Sequence, residues 1–300
     1  MLALNEILAK LTINNKAVPA FNVPYLPMIE PVINAVVDQN SFALIETARL
    51  EWIKFGAQGP KEVAQQFARY KDPDHVRLHL DHIPVIDEDG QVVDYLKIIQ
   101  QAIGYGFDSV MVDGSRLSLA ENIAATKSVA KLAHAAGIPC EAELGAVLGH
   151  EAGPLPPYEE IFASGKGFTD INEAKRFVHE SECDWLSVAI GNIHGAISGV
   201  LKDQKKVAAR LKLDHLEQLK IATGIPLVLH GGSSIPQELV LAAFTKGIAK
   251  INIGTEIRQV YEIELKNSSD LIKAQSAVYD RTCWLLKEYF KLDNDFDFLN

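Results

Sequence analysis

Eight times in succession the chain alternates a short branched apolar run, a polar loop and a segment whose apolar residues recur at helical spacing. The apolar runs fall at residues 17–23, 42–47, 76–82, 107–115, 138–144, 185–191, 226–234 and 248–255. Runs that are apolar throughout suit strands buried on both faces, which parallel strands are when helices cover the sheet. The intervening periodicity predicts helices at 3–12, 28–39, 61–70, 92–104, 119–136, 170–180 with Thr169 as its cap, 205–219, from 236, and from 255, with one more at 270–290. Eight βα units with no change of composition between them predict an α/β fold, a (β/α)8 TIM barrel. An open doubly wound sheet is the alternative. A single domain over 1–300 is expected, with the barrel at about 17–265 and a C-terminal helical extension at about 268–292.

Charge and cysteine use narrow the function. A net charge of −10 argues against nucleic acid and against anionic membranes, and favours a small-molecule partner. No apolar run approaches the roughly 18 residues of a membrane span, and the first residues, MLALNEILAK, lack the layout of a signal peptide, so a cytoplasmic helix is expected there. Cys140, Cys183 and Cys283 stand singly, which suits a reducing compartment and leaves any metal to histidine.

In such a barrel the strand ends surround one mouth. Those positions hold Asn22, Thr47, Asp81 with His82, Asp113, Glu143, His194, His230 and Asn252. Loop polarity accounts for Asn22, Thr47 and Asn252, and a strand-end acid with a satisfied core histidine is the structural alternative for residues 81 and 82. Three of nine histidines arriving on three different strands is harder to explain that way. Imidazoles converging from separate strands leave a bound metal an open position, as in catalytic zinc sites. His82, His194 and His230 are therefore the expected ligands. His79, on the face of Asp81, is a rival ligand or a supporting group. His75, His134, His179 and His215 are expected on the surface. Glu141 and Glu143, two apart on one strand, share a face and require solvent, a cation or a proton.

Two loops add to this. Gly231-Gly232-Ser233 follows His230, and Asn252 to Thr255 opens the next helix, so backbone amides after strands seven and eight could hold phosphate. Residues 145–168 carry five glycines and three prolines, the composition of a long functional loop. The basic segment 205–219 reads as a solvated helix face, and residues 83–91 as a lid or rim.

The stretches AFNVP (20–24), HLDH (79–82), GFDSVMVDGS (106–115), EAELG (141–145), AIGNIHG (189–195), LVLHGGSS (227–234) and KINIGTE (250–256) resemble, in order, the class II zinc-dependent ketose-bisphosphate aldolases, the fructose- and tagatose-bisphosphate aldolase group. The resemblance implies cleavage or formation of a carbon–carbon bond between a dihydroxyacetone-phosphate-like donor and an aldehyde, through a zinc-stabilised enediolate. It places Zn2+ on His82, His194 and His230, with Glu143 and Asp113 beside it and room for a second divalent or monovalent cation. Asp81 would exchange a proton at the aldehyde oxygen, and Glu151 one at the nucleophilic carbon. Asn22, Thr47, Gly195, Gly231, Gly232, Ser233, Asn252 and Thr255 would hold substrate. A sugar phosphate partner and a homo-oligomer, dimer or tetramer, are implied as well.

Three departures bear on substrate choice: AISGVLKDQ follows His194-Gly195 where the family commonly has a tyrosine and a lysine, a loop is inserted after His82, and Thr47 replaces a usual serine. A zinc hydrolase on the same barrel and a non-catalytic sugar-phosphate-binding subunit are the rival functions. The intact HLDH, the histidines and Glu151 favour the aldolase.

Overall fold

In the computed structural model, which describes residues 2–145, 158–192 and 209–299, eight parallel strands close on themselves in chain order. They are β1 (Val18–Asn22), β2 (Ala43–Ala48), β3 (Val76–Pro84), β4 (Ser109–Asp113), β5 (Cys140–Leu144), β6 (Trp185–Val188), β7 (Leu227–Leu229) and β8 (Ile248–Ile253). Helix α1 (Leu4–Ile13) precedes them, and α2 (Ile29–Asp38), α3 (Arg49–Lys54), α4 (Pro60–Tyr70), α5 (Tyr95–Gly104), α6 (Leu119–Ala135), α7 (Tyr158–Ser164), α8 (Ile171–Ser181), α9 (Leu213–Thr223), α10 (Gln237–Thr245), α11 (Thr255–Ser268) and α12 (Leu271–Trp284) follow in order. This is the expected TIM barrel, and the open sheet is excluded by the pairing of β8 with β1.

Strand residues facing outward, such as Ile45, Leu78, Val110 and Ile251, pack with helix residues such as Val32, Phe67 and Ile99 into one continuous core. The inward residues are layered differently. At the strand starts Leu44, Trp185 and Val228 form a separate apolar cluster with Phe42 and with Leu8 and Leu11 of α1. Helix α1 thereby plugs the barrel floor, each buried leucine contributing on the order of 2 kcal/mol. One layer higher, Glu46, His79, Glu141 and Lys250 are all fully buried. The charged layer sits directly beneath the mouth.

Several local expectations are corrected. Helix α8 is capped by Asp170, which accepts the Asn172 and Glu173 amides. Thr169 is buried instead: its hydroxyl donates to the Leu144 carbonyl and accepts the Ala189 amide, joining β5 to β6. In the expected helix 205–219, the first described residues, 209–212, are not helical, because the Lys212 amide donates to Ile190 and holds the chain along the end of β6. Gly232–Ser234 make a 3-10 turn, and the helix expected from 236 follows it at Gln237, with Pro236 as its cap. Helices α3 and α7 were not anticipated, being too short to show periodicity.

The insertion after β3 is ordered. Ile86 bridges antiparallel to Val92, Asp87 accepts the Asp89 and Gln91 amides, and Arg49 of α3 lies 3.4 Å from Asp87. It forms a rim, and Glu88 faces the mouth. Of the histidines expected on the surface, His134 and His179 are exposed. His75 and His215 are half-buried, bonded to the Ser41 and Thr169 carbonyls.

Candidate active site

Strand β3 does not end regularly. Its pairing with β4 slips between Leu80 and Ile83, and His82 adopts φ of +34°, a left-handed conformation that costs energy for a residue with a Cβ. In a regular strand Asp81 and His82 would face opposite sides. The bulge lets both face the mouth, and strain of this kind at a site is sustained by the surrounding contacts.

Asp81 is 1% exposed, and its two oxygens accept the side-chain amides of Asn22 at 2.9 Å and Asn252 at 3.1 Å. Burial would raise its pKa, but His82 and Lys250 outweigh burial and hold the carboxyl below the ordinary carboxylate range. It is an oriented, ionised group.

The His82 and His230 rings lie 4.5 Å apart, nearly perpendicular. His82 Nδ1 is 3.4 Å from Asp113, and His230 bonds through Nε2 to Glu141 at 3.0 Å, with Nδ1 3.4 Å from Glu143. Burial lowers the pKa of both imidazoles, yet the acids around them raise His82 well above, and His230 above, the usual value. Burial and Asp113 in turn push Glu143 up. Acid is in excess here, and the site draws positive charge.

A divalent cation fits that demand. One donor atom from each of Asp81, His82 and His230 lies within 4.8 Å of the others, and the same holds for His82, Asp113 and Glu143. A carboxylate at His82 Nδ1 and carboxylates at both nitrogens of His230 orient the rings, as groups around metal-ligating histidines do. His194, Gly195 and Glu151 lie outside the described residues. Asn192, just before that segment, donates to the His230 carbonyl at 3.0 Å and ties the end of β6 to that of β7.

Around the cation candidates, Asn22, Gly231, Ser233, Asn252 and Thr255 line the same cavity. Gly231 has φ of +73°, and a Cβ on Gly232 would come within 3.0 Å of the Asn252 carbonyl, so this turn requires its glycines. Thr47 and Gly232 are off the cavity wall, and Thr47 is fully buried. His79 bonds to Ser109 at 2.8 Å and lies 3.5 Å from Glu141, below the mouth; burial and Lys250 lower its pKa to about 3. It is neutral and supports the layer beneath His230.

Glu46 and Lys250 were missed from the sequence. The available signal was a charge in the middle of a strand buried on both faces, ALIETA and IAKINI. Glu51, Phe55, Glu88 and Arg258 on the cavity wall were missed as well. They come from helices, from the turn after α3 and from the rim, where spacing carries no signal.

A family model described as class-II fructose-bisphosphate aldolase matches residues 2–292. The chain is similar to a 6-phospho-5-dehydro-2-deoxy-D-gluconate aldolase of Halalkalibacterium halodurans, 32% identical over 263 residues, 87% of this chain and 82% of that one. It is also similar to a fructose-bisphosphate aldolase of Streptococcus pyogenes serotype M3, 38% identical over 207 residues, 68% of this chain and 61% of that one, so less than two thirds of that relative is spanned. The crystal structure of the YdjI aldolase from Escherichia coli K12 superimposes with a TM-score of 0.76 at 28% identity, covering 98% of this chain and 99% of that one. All three are named aldolases, and the first two differ in named substrate. The chain therefore belongs to the class-II fructose-bisphosphate aldolase family and is an aldehyde-lyase.

Proposed function

We propose that this protein is a zinc-dependent aldolase joining a dihydroxyacetone-phosphate-like donor to an aldehyde, and cleaving the corresponding ketose phosphate. The observation that carries the reading is Asp81: an ionised carboxylate fixed by two amides, on the residue adjoining His82 and within reach of His230. His82 and His230, with His194, would hold the zinc, and Asp113 and Glu143 would orient the ligands or take a second cation. Bound zinc would supply Lewis acidity toward the ketone and hydroxyl oxygens of the donor.

In cleavage the ionised Asp81 would take the proton from the hydroxyl that becomes the aldehyde oxygen, and in bond formation the protonated Asp81 would return it to that oxygen. Glu151 would move the proton at the nucleophilic carbon. The 3-10 turn at Gly232–Ser234 and the start of α11 both open toward the cavity, and their amides suit a donor phosphate near Gly231, Ser233 and Thr255, with Gly195. Asn22 and Asn252 would touch substrate while they hold Asp81. The reading extends to a homo-oligomer, dimer or tetramer, which family likeness supports, to the cytoplasm, and to one barrel domain over the chain.

A panel of ketose phosphates and bisphosphates, assayed for retro-aldol cleavage with and without chelator, tests the reading. Chelator-sensitive release of a triose phosphate is expected. Turnover indifferent to chelator, or ester hydrolysis alone, overturns it.

A further inference from the structure

Among the described residues, the barrel interior holds one lysine, and the reaction does not use it. Lys250 lies in mid-β8, fully buried, and its ammonium is 2.9 Å from Glu141 Oε2, 3.2 Å from Glu46 Oε2 and 2.7 Å from Asn252 Oδ1. An ammonium has three donors, and here three acceptors surround it. Burying it is costly, and an apolar residue of similar volume would fill the barrel without that cost. Its partners show what the charge accomplishes.

Glu141 divides its oxygens: Oε2 faces Lys250, and Oε1 accepts His230 Nε2 at 3.0 Å. The ammonium thus selects the Glu141 rotamer that turns the other nitrogen of His230 to the mouth. Asn252 divides its amide likewise: Oδ1 accepts from Lys250 and Nδ2 donates to Asp81 at 3.1 Å. A flipped amide would set its own NH2 against the ammonium and its oxygen against the carboxylate. One cation therefore determines two orientations above it. We propose that Lys250 is a positioning residue that sets the metal-ligating geometry of His230 through Glu141 and the proton-transferring geometry of Asp81 through Asn252.

This inference rests on the aldolase reading, and its test separates the two. The full chain is compared with Lys250→Met and with Lys250→Met/Glu46→Gln, the double variant removing one acid along with the cation. Folding is read by thermal midpoint, zinc(II) affinity by competition with a chelator, and chemistry by proton–deuterium exchange of dihydroxyacetone phosphate and by cleavage of the ketose phosphate panel. The double variant is expected to recover much of the parent's midpoint. Its zinc affinity should still be about 10- to 100-fold weaker, the range for groups that orient metal ligands, and its turnover lower by at least that factor through kcat. Return of zinc affinity and turnover to parental values in the double variant would show that Lys250 only balances charge, and would overturn the proposal. Failure of both variants to fold would assign Lys250 to stability and overturn it equally. If the parent turns over nothing, the aldolase reading falls, while the zinc comparison still decides the link from Lys250 through Glu141 to His230.

Discussion

The two ends of this barrel bury carboxyl groups to the same depth and treat them in opposite ways. At the mouth Asp81 is 1% exposed and ionised, with two amide donors and with His82 and Lys250 close enough to outweigh burial. At the floor Asp295 is 0% exposed and accepts the Phe42 amide at 2.8 Å. There burial prevails over that bond and over Lys16, and raises its pKa to about 7. Depth alone does not decide whether a buried acid is charged. The balance of groups beside it does: His82 and Lys250 outweigh burial at Asp81, whereas burial and Asp81 outweigh Lys250 at Glu46, and the floor is left to apolar packing around Leu8, Phe42 and Trp185.

The largest effect should come from the mouth. Asp81→Ala is expected to keep zinc and fold while cleavage falls by about 100- to 10,000-fold, the worth of a placed acid–base group. His230→Ala should lose metal as well. Metal analysis beside steady-state kinetics checks both, and loss of zinc from the Asp81 variant would recast that residue as a ligand.

The floor should respond in stability only. Leu8→Ala, which empties a fully buried site in the plug, is expected to cost about 2–5 kcal/mol by denaturant unfolding, with kcat per folded molecule unchanged. A fall in kcat there would break the division between the two ends.

Asp295 gives a smaller, pH-dependent effect. The unfolded carboxyl loses its proton near its ordinary value of 3.8 and the folded one near 7, so the folded state binds more protons between these values. Stability from this group is complete below about pH 4 and declines by up to about 1.4 kcal/mol per pH unit as pH rises to 7. Asp295→Asn should flatten that slope and stabilise the protein at pH 8, read as the difference between the variant and parental unfolding curves. A steeper slope in the variant would mean that Asp295 is ionised. Smallest of all, Lys246→Ala removes the exposed Lys246–Glu217 pair and should leave the unfolding midpoint unchanged.

Much of the mouth was legible because strand ends are marked twice, by the end of an apolar run and by an unusual polar residue. Asp81, His82, Asp113, Glu143, His230 and Asn252 were found in that way, and the structure gathers them around one cavity or against its histidines. Thr47 carried the same mark yet is buried, since a strand's last polar residue can face its own helix layer as readily as the mouth. Thr169 and Asp170 are adjacent potential caps, and only the packing of β5 on β6 made Thr169 the stitch and Asp170 the cap.

By itself, the sequence determined the barrel, the order of its strands and the residue types at the mouth, because periodicity and strand-end chemistry are local properties of the chain. Tertiary structure alone decided the bulge that turns His82 toward Asp81 and the meeting of Glu46, Glu141, Asn252 and Lys250 from three strands. Whether a buried charge is stable depends on partners far away in the chain, and those partners become neighbours only when the sheet closes.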